Sequence, residues 1–160
     1  MNKPLKCAII GYGYMGEIRH RMVSQNPNTE LLMICETNPI KLPNGKKFAV
    51  VEDPIEVIES NADLVFVCTP NNLIPDLAVK SLERGKHVFC EKPPGRTLSD
   101  IVRIMNAEKE NPDTKLMFGF NHRYHPGVLK AKAIVDTGRM GKVIALRGLY
   151  GKSGGNYFSK

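Results

Sequence analysis

The chain has 160 residues, of which 42% are hydrophobic and 24% are charged, with a formal net charge of +7 and an isoelectric point near 9.3. This composition argues against a disordered chain, and the length allows one ordinary domain with a core of its own. The 23 lysines and arginines are spread along the chain without interleaved aromatic residues, so we expect an anionic small molecule rather than nucleic acid as the partner.

The cysteines and the lengths of the apolar runs indicate a reducing, cytoplasmic setting. Cys7, Cys35, Cys68 and Cys90 each belong to an apolar run and form no CxxC pair, which makes a zinc site or a disulfide framework a weak interpretation. No apolar run approaches the length of a membrane span, and the apolar stretch near the first residue is too short for a signal peptide. We therefore expect no membrane partner.

The first part of the chain alternates apolar runs with helical patterns. A short buried strand is predicted over 6–11, a helix over 14–27 and a second strand over 30–36. The next segment, 37–53, is rich in proline, asparagine and glycine, which predicts a loop and a short strand rather than a full helix. Strand, helix and strand in this order are typical of a crossover unit with parallel strands.

The alternation continues through the rest of the chain. Asp53 is expected to cap a helix over 54–60, Gly85 to end the following helix, and Thr97 or Ser99 to cap the one after that. Further strands are predicted over 62–69, 86–92, 115–121 and 142–151, and further helices over 74–85, 97–112 and 126–138. This order predicts an α/β fold, a doubly wound parallel sheet of the Rossmann type with helices on both faces.

A glycine motif follows the first predicted strand and opens the first predicted helix. The letters GYGYMG match G-x-G-x-x-G at Gly11, Gly13 and Gly16, a pattern that brings a pyrophosphate close to the backbone at a helix N-terminus. Glu36 ends the second strand, where a carboxylate accepts hydrogen bonds from ribose hydroxyls and repels a 2′-phosphate. The nearest following cations are lysines rather than an arginine, which favours NAD over NADP. The alternative is a glycine turn beside a surface glutamate.

Two more polar segments follow later strands, at the edge where ligands of such sheets bind. In CTPNN, Thr69 and Asn71 would present short polar groups to the cleft, although an ordinary strand-to-helix turn is an equal alternative. In CEKPPG, Glu91 and Lys92 stand between a strand and two prolines, where an ammonium could meet both cofactor and substrate. Taken alone, Lys92 would be read as a solvated surface lysine.

Four motifs in register give the chain a resemblance to a known family. GYGYMG, CTPNN, GKHVFCEKPPG and GFNHRYHP occur in the order found in the Gfo/Idh/MocA oxidoreductases, and the similarity covers about residues 5–155. The resemblance implies a catalytic acid/base role for Lys92, pyrophosphate binding at the glycine motif and ribose binding at Glu36 and Glu91. The cofactor-binding residues it implies are Gly11, Tyr12, Gly13, Tyr14, Met15, Gly16, Glu36, Cys68, Thr69, Pro70, Asn71, Glu91, Lys92, Asn121 and Arg123. His122 and His125 are interpreted as structural, and no metal is expected.

The chain departs from that family in three ways. Ile74 stands where relatives commonly carry a histidine, and the segment between the second and third strands is too thin for the usual helix. Relatives are also longer, with a second α+β domain that forms part of the sugar pocket. We therefore expect a dinucleotide-binding domain over 1–124 and, over 125–160, a linking helix and the first strand of a truncated substrate domain.

These expectations lead to one principal function and two alternatives. The principal prediction is part of an NAD(P)-dependent dehydrogenase that acts on a sugar or nucleotide sugar, and the chain is expected to be inactive by itself because the substrate domain is truncated. The nucleotide sugar is suggested by the ending GLYGKSGG, which resembles relatives from polysaccharide biosynthesis. One alternative is a catalytically incomplete dinucleotide-binding module or assembly partner, and the other is part of an inositol or polyol dehydrogenase. An unpaired final strand would expose an apolar face, so self-association into a homo-oligomer is expected.

Overall fold

The computed structural model of the chain describes residues 3–40, 48–149 and 151, and it is built around a six-stranded parallel sheet. The strands are β1 (Leu5–Ile10), β2 (Thr29–Cys35), β3 (Ala49–Val51), β4 (Leu64–Val67), β5 (His87–Cys90) and β6 (Leu116–Phe118). Their order in the sheet is β3-β2-β1-β4-β5-β6, so the strand order reverses between β1 and β4. This order confirms the predicted Rossmann-type sheet, whose ligand crevice lies at that reversal.

Of the four helices described in the sheet unit, two begin at a residue whose side chain caps the helix. The four helices are α1 (Tyr14–Gln25), α2 (Pro54–Glu59), α3 (Ile74–Glu83) and α4 (Leu98–Glu110). The Ile55 N–H donates to Asp53 Oδ1 at 2.8 Å at the start of α2, which confirms the predicted cap. Of the two residues predicted to cap α4, Thr97 does so, in a capping box with Asp100. Gly85 follows α3 with a φ of +71°, the left-handed conformation that glycine adopts most readily.

The core lies where the central strands meet the helices. Ile9, Ile34, Val65 and Val67 are completely or almost completely buried in the strands, and Leu82 of α3 is equally inaccessible. Because helices cover the sheet, the central strands are rich in apolar residues without strict alternation, and this is why they could be recognised as apolar runs. Each such side chain contributes roughly 1.5–3 kcal/mol by burial, so the sheet is a firm support for the loops at its edge.

The chain divides into two compact units, residues 1–120 and 121–160. In the second unit a 3₁₀ helix covers Asn121–Tyr124 and α5 covers Pro126–Asp136. The His125 Nδ1 accepts a hydrogen bond from the Gly127 N–H at 3.2 Å and so caps α5. The predicted domain boundary after residue 124 stays a prediction. Among the residues that the structure describes, no helix is long and apolar enough to cross a membrane.

The strand predicted over 142–151 is wrong for the residues that are described. Residues 142–149 have no regular secondary structure, and Ile144, Leu146 and Leu149 are exposed. The apolar pattern of this segment is typical of a strand, but a strand also needs a second strand to pair with. The described part of the second unit contains no strand. The short strand predicted within 37–53 forms as β3. The lysines that follow Glu36 and were compared with an arginine in the choice between NAD and NADP, which are Lys41, Lys46 and Lys47, lie outside the described residues.

Candidate functional site

One row of residues crosses the carboxyl edge of the sheet. The N–H of the first residue after each of five strands donates to the last carbonyl oxygen of a neighbouring strand, at 2.7–3.0 Å. From β2 across to β6 these first residues are Glu36, Gly11, Cys68, Glu91 and Gly119. The polar segments that the sequence places after separate strands are therefore brought together along a single edge, with Gly11 and Cys68 at the reversal of strand order.

The glycine turn after β1 has two positions without room for a side chain and one with open space. Gly11 has a φ of +90°, and a Cβ atom there would lie 2.8 Å from the carbonyl oxygen of Cys68. A Cβ atom at Gly16 would lie 2.3 Å from the carbonyl oxygen of Gly11. At Gly13, which begins α1, no atom lies within 4 Å of that position. The turn is thus tightly packed at both ends and open at the helix N-terminus, where an anion binds favourably.

Gly16→Ala and Gly13→Ala form a matched pair of variants that separates folding from binding. Gly16→Ala forces backbone atoms apart, so we expect the free energy of unfolding to fall by about 1–3 kcal/mol or more. Gly13→Ala replaces a favourable N-cap residue by an unfavourable one but causes no clash, so we expect a loss of about 1 kcal/mol at most together with clearly weaker dinucleotide binding. Urea unfolding and calorimetric titration with NADH measure the two effects. Equal destabilisation by both variants would contradict this account of the turn.

Glu36 is held in place by hydrogen bonds before any ligand arrives. The Tyr12 N–H donates to Oε2 at 2.7 Å, while the backbone and side-chain N–H groups of Asn38 each donate to Oε1 at 3.0 Å. Burial acts to raise the pKa of Glu36, but the hydrogen bonds from Asn38, Tyr12 and Thr37 outweigh it and the pKa is lowered. The carboxylate is therefore ionised at neutral pH and fixed at the end of β2, as a hydrogen-bond acceptor for a ribose requires.

A cavity of about 510 Å³ opens beside Glu36 at the reversal of strand order. Its wall includes Gly13, Thr69, Pro70 and Leu73, so it joins the glycine turn to the loop after β4. The Thr69 Oγ1 atom is buried and has no hydrogen-bond partner in the described part of the chain. A buried hydroxyl without a partner is costly, and a polar ligand in the cavity would remove that cost. The cavity, the open space at Gly13 and this hydroxyl fit a nucleotide.

The remaining predicted residues of the glycine turn and the loop after β4 differ in exposure. Tyr12 is half-buried, and its hydroxyl lies 2.5 Å from Nδ1 of His20, whereas Tyr14 is largely exposed. Met15 and Asn71 are half-buried. These side chains belong to the same edge as Gly13 and Thr69, but only Tyr12 is tied down by a side-chain hydrogen bond that the structure records.

Glu91 and Lys92 follow β5 and have opposite environments. Glu91 is buried and forms an ion pair with Arg19 of α1, in which Arg19 Nε donates to Glu91 Oε1 at 3.0 Å and Nη2 donates to the same oxygen. Lys92 is exposed at the sheet edge. Sequence reasoning missed Arg19. A sequence signal for this residue did exist. Arg19 lies three positions after Gly16 and four positions before Val23, so it shares the buried face of α1 with them, where a charged residue is unusual.

The two cysteines at this edge behave as apolar groups. Burial, with a smaller effect of the nearby Glu91 carboxylate, raises the pKa of Cys68 to about 12. Burial also raises the pKa of Cys90 to about 12, with Cys68 and Glu91 adding to the effect. Both thiols are protonated at neutral pH and are therefore poor nucleophiles. Cys68 contributes its backbone to the turn, since its carbonyl oxygen faces Gly11.

Asn121 and Arg123 belong to the second compact unit. They lie in the 3₁₀ helix at its start, and both are exposed. The cofactor-binding roles that the sequence resemblance implies for them stay predictions.

Comparison with known proteins identifies the family to which the sheet unit belongs. The model of an oxidoreductase family with an NAD-binding Rossmann fold matches residues 5–120. Myo-inositol 2-dehydrogenase of Thermotoga maritima is 33% identical over 148 residues, which cover 89% of this chain and 44% of that protein. The scyllo-inositol 2-dehydrogenase (NAD(+)) of Bacillus subtilis is 30% identical over 159 residues, covering 92% of this chain and 45% of that protein. The chain therefore spans less than half the length of these curated relatives.

Solved structures agree with the sequence comparison. The crystal structure of scyllo-inositol dehydrogenase from Lactobacillus casei with bound NAD(H) and scyllo-inositol has a TM-score of 0.80 and 28% identity, covering 87% of this chain and 43% of that one. The family description confirms NAD as the predicted cofactor. The chain belongs to the Gfo/Idh/MocA family of oxidoreductases with an NAD-binding Rossmann fold.

Proposed function

We propose that this chain supplies the NAD-binding part of a dehydrogenase that oxidises a hydroxyl group of a polyol or sugar, with inositols as the first substrate class. The single observation that carries the proposal is the row at the sheet edge, because the glycine turn, Glu36, the cavity and the end of β5 that precedes Lys92 all lie along it. The inositol dehydrogenases among the relatives favour inositols over nucleotide sugars, which the sequence alone had put first. The substrate remains a proposal because the relatives are more than twice as long.

In the first unit, the two halves of the sheet would bind different parts of NAD. The pyrophosphate would bind at the turn formed by Gly11, Gly13 and Gly16, next to the N-terminus of α1. Glu36 would accept hydrogen bonds from the hydroxyls of the adenosine ribose. Thr69 Oγ1 would donate to the cofactor along the cavity wall, gaining the partner it lacks. Bound NAD would supply the hydride acceptor.

Lys92, at the end of β5, would act as the general acid/base. At this exposed edge its neutral amine would accept the proton of the substrate hydroxyl as the hydride leaves for NAD, and the ammonium so formed would hydrogen-bond to the new carbonyl oxygen. The buried Glu91 and the following Pro93 restrict the backbone on either side of Lys92, which lowers the entropy lost when the amine is oriented. We propose no catalytic part for Cys68, whose thiol is protonated.

A substrate panel tests this function. The dehydrogenase to which this chain is proposed to contribute is mixed with NAD and, separately, with myo-inositol, scyllo-inositol, simple sugars and nucleotide sugars, while NADH formation is followed by absorbance. Oxidation of an inositol in preference to the other compounds is the expected result for the active protein. Preference for a nucleotide sugar would overturn the substrate class. NADH binding without turnover of any compound would favour the alternative of a dinucleotide-binding module that acts with an assembly partner.

A further inference from the structure

The Arg19–Glu91 pair is a buried ion pair that joins α1 to the end of β5. The side-chain exposure is 19% for Arg19 and 8% for Glu91. The guanidinium also lies over the Phe89 ring, 4.5 Å from its centroid. Arg19 is therefore held on two sides by residues of one strand and its continuation, although 72 residues separate it from Glu91 in sequence.

The two oxygen atoms of the Glu91 carboxylate have different surroundings. Both hydrogen bonds from Arg19 reach Oε1. Oε2 instead faces the residue after β6, because a Cβ atom at Gly119 would lie only 3.0 Å from it. Glycine at position 119 thus keeps the volume beside Oε2 clear. The pair fixes one carboxylate oxygen to α1 and turns the other toward the half of the sheet formed by β4, β5 and β6.

That half of a doubly wound sheet takes the second nucleotide of a dinucleotide, while the half formed by β1, β2 and β3 takes the first. Glu36, at the end of β2, marks the adenosine side. Glu91 and Gly119, at the ends of β5 and β6, mark the nicotinamide side. A contact made through Glu91 should therefore influence the nicotinamide half of NAD and leave the adenosine half unaffected.

We propose that Arg19 is a positioning residue that holds the Glu91 carboxylate in one orientation, so that Oε2 meets the nicotinamide-side half of the cofactor. This inference rests on the proposed function. A buried carboxylate that loses its cation becomes neutral or turns toward water, because low polarity penalises the isolated charge. Arginine suits the task since its guanidinium donates two hydrogen bonds in a fixed geometry while its flat face packs on an aromatic ring.

Calorimetric titrations of the chain with NADH and with ADP test the proposal, since ADP lacks the nicotinamide riboside. Arg19→Met should weaken NADH binding about tenfold, the size expected for losing a hydrogen bond to a charged group, and leave ADP binding unchanged. Arg19→Lys should recover part of the NADH affinity, because it restores the charge without the paired hydrogen bonds. Arg103→Met is the matched control, since Arg103 also pairs with a carboxylate, that of Asp76, but at an exposed site, and should leave both affinities unchanged.

Equal loss of NADH and ADP affinity in Arg19→Met would overturn the proposal, because it would show a general structural effect. Unchanged affinity for both ligands would overturn it as well. If Arg19→Met does not fold, Arg19→Lys carries the test with the same criteria, and its expected result is a smaller loss confined to NADH. If the unaltered chain binds NADH no better than ADP, the nicotinamide half is not held at all, and the proposed function falls together with the role of Arg19.

Discussion

Lys92→Met is expected to lower kcat by about 100- to 10,000-fold in the active enzyme, the range that a positioned proton donor or acceptor contributes. Methionine matches the length of lysine but can neither exchange a proton nor stabilise negative charge on the substrate oxygen. The affinity for NAD should stay nearly unchanged, because the pyrophosphate and ribose contacts proposed for the glycine turn and Glu36 are untouched. Steady-state kinetics and NADH titration measure the two effects separately.

Lys109→Met provides the control for charge and side-chain length. Lys109 is exposed on the last turn of α4, away from the row of residues at the sheet edge, and its replacement should leave kcat and NAD affinity as they were. Wild-type turnover in Lys92→Met would refute the acid/base role. Loss of NAD binding in proportion to kcat would instead give Lys92 a binding role.

Glu36→Ser is expected to shift cofactor selectivity from NAD toward NADP by about 10- to 100-fold, measured as the ratio of NADH to NADPH dissociation constants. Removing the carboxylate removes the hydrogen bonds that the ribose hydroxyls donate to a charged acceptor, worth roughly 1.5–3 kcal/mol, and it also removes the repulsion of a 2′-phosphate. The effect should be strong because Glu36 is ionised and already held in place by Tyr12 and Asn38.

Glu83→Ser is the corresponding control. Glu83 is an exposed carboxylate at the C-terminal end of α3, and its removal should leave the selectivity ratio unchanged while altering the net charge equally. An unaltered ratio in Glu36→Ser would contradict the assignment of the adenosine ribose to this residue. Weaker binding of both cofactors with an unchanged ratio of dissociation constants would mean that Glu36 only maintains the conformation of the loop.

Local patterns in the sequence were sufficient to predict most strands and helices of the sheet unit. The buried strands appear as apolar runs because helices cover them, and Asp53 and Thr97 were recognisable as caps from residue type and position. The glycine motif after β1 was recognisable for the same reason, since the close approach at Gly16 is built into that local turn. The predicted strand over 142–151 failed because strand formation depends on a neighbour as well as on pattern.

Contacts between distant residues were beyond sequence reasoning. The tight approach of Gly11 to the Cys68 carbonyl, the unpartnered hydroxyl of Thr69 and the pairing of Arg19 with Glu91 all depend on how strands and helices meet in space. The sequence resemblance assigned Glu91 to a ribose of the cofactor. The structure adds the buried cation on the other side of that carboxylate, which changes what the residue needs in order to act.

A crystal structure of the protein with NADH tests the central claim most directly. The expected result is a single bound dinucleotide, with its pyrophosphate at Gly13, its adenosine ribose on Glu36 and its nicotinamide ring next to the amine of Lys92. A dinucleotide bound with its nicotinamide away from the end of β5, or a Lys92 amine directed to another side of the sheet, would contradict the enzymatic role proposed for this chain.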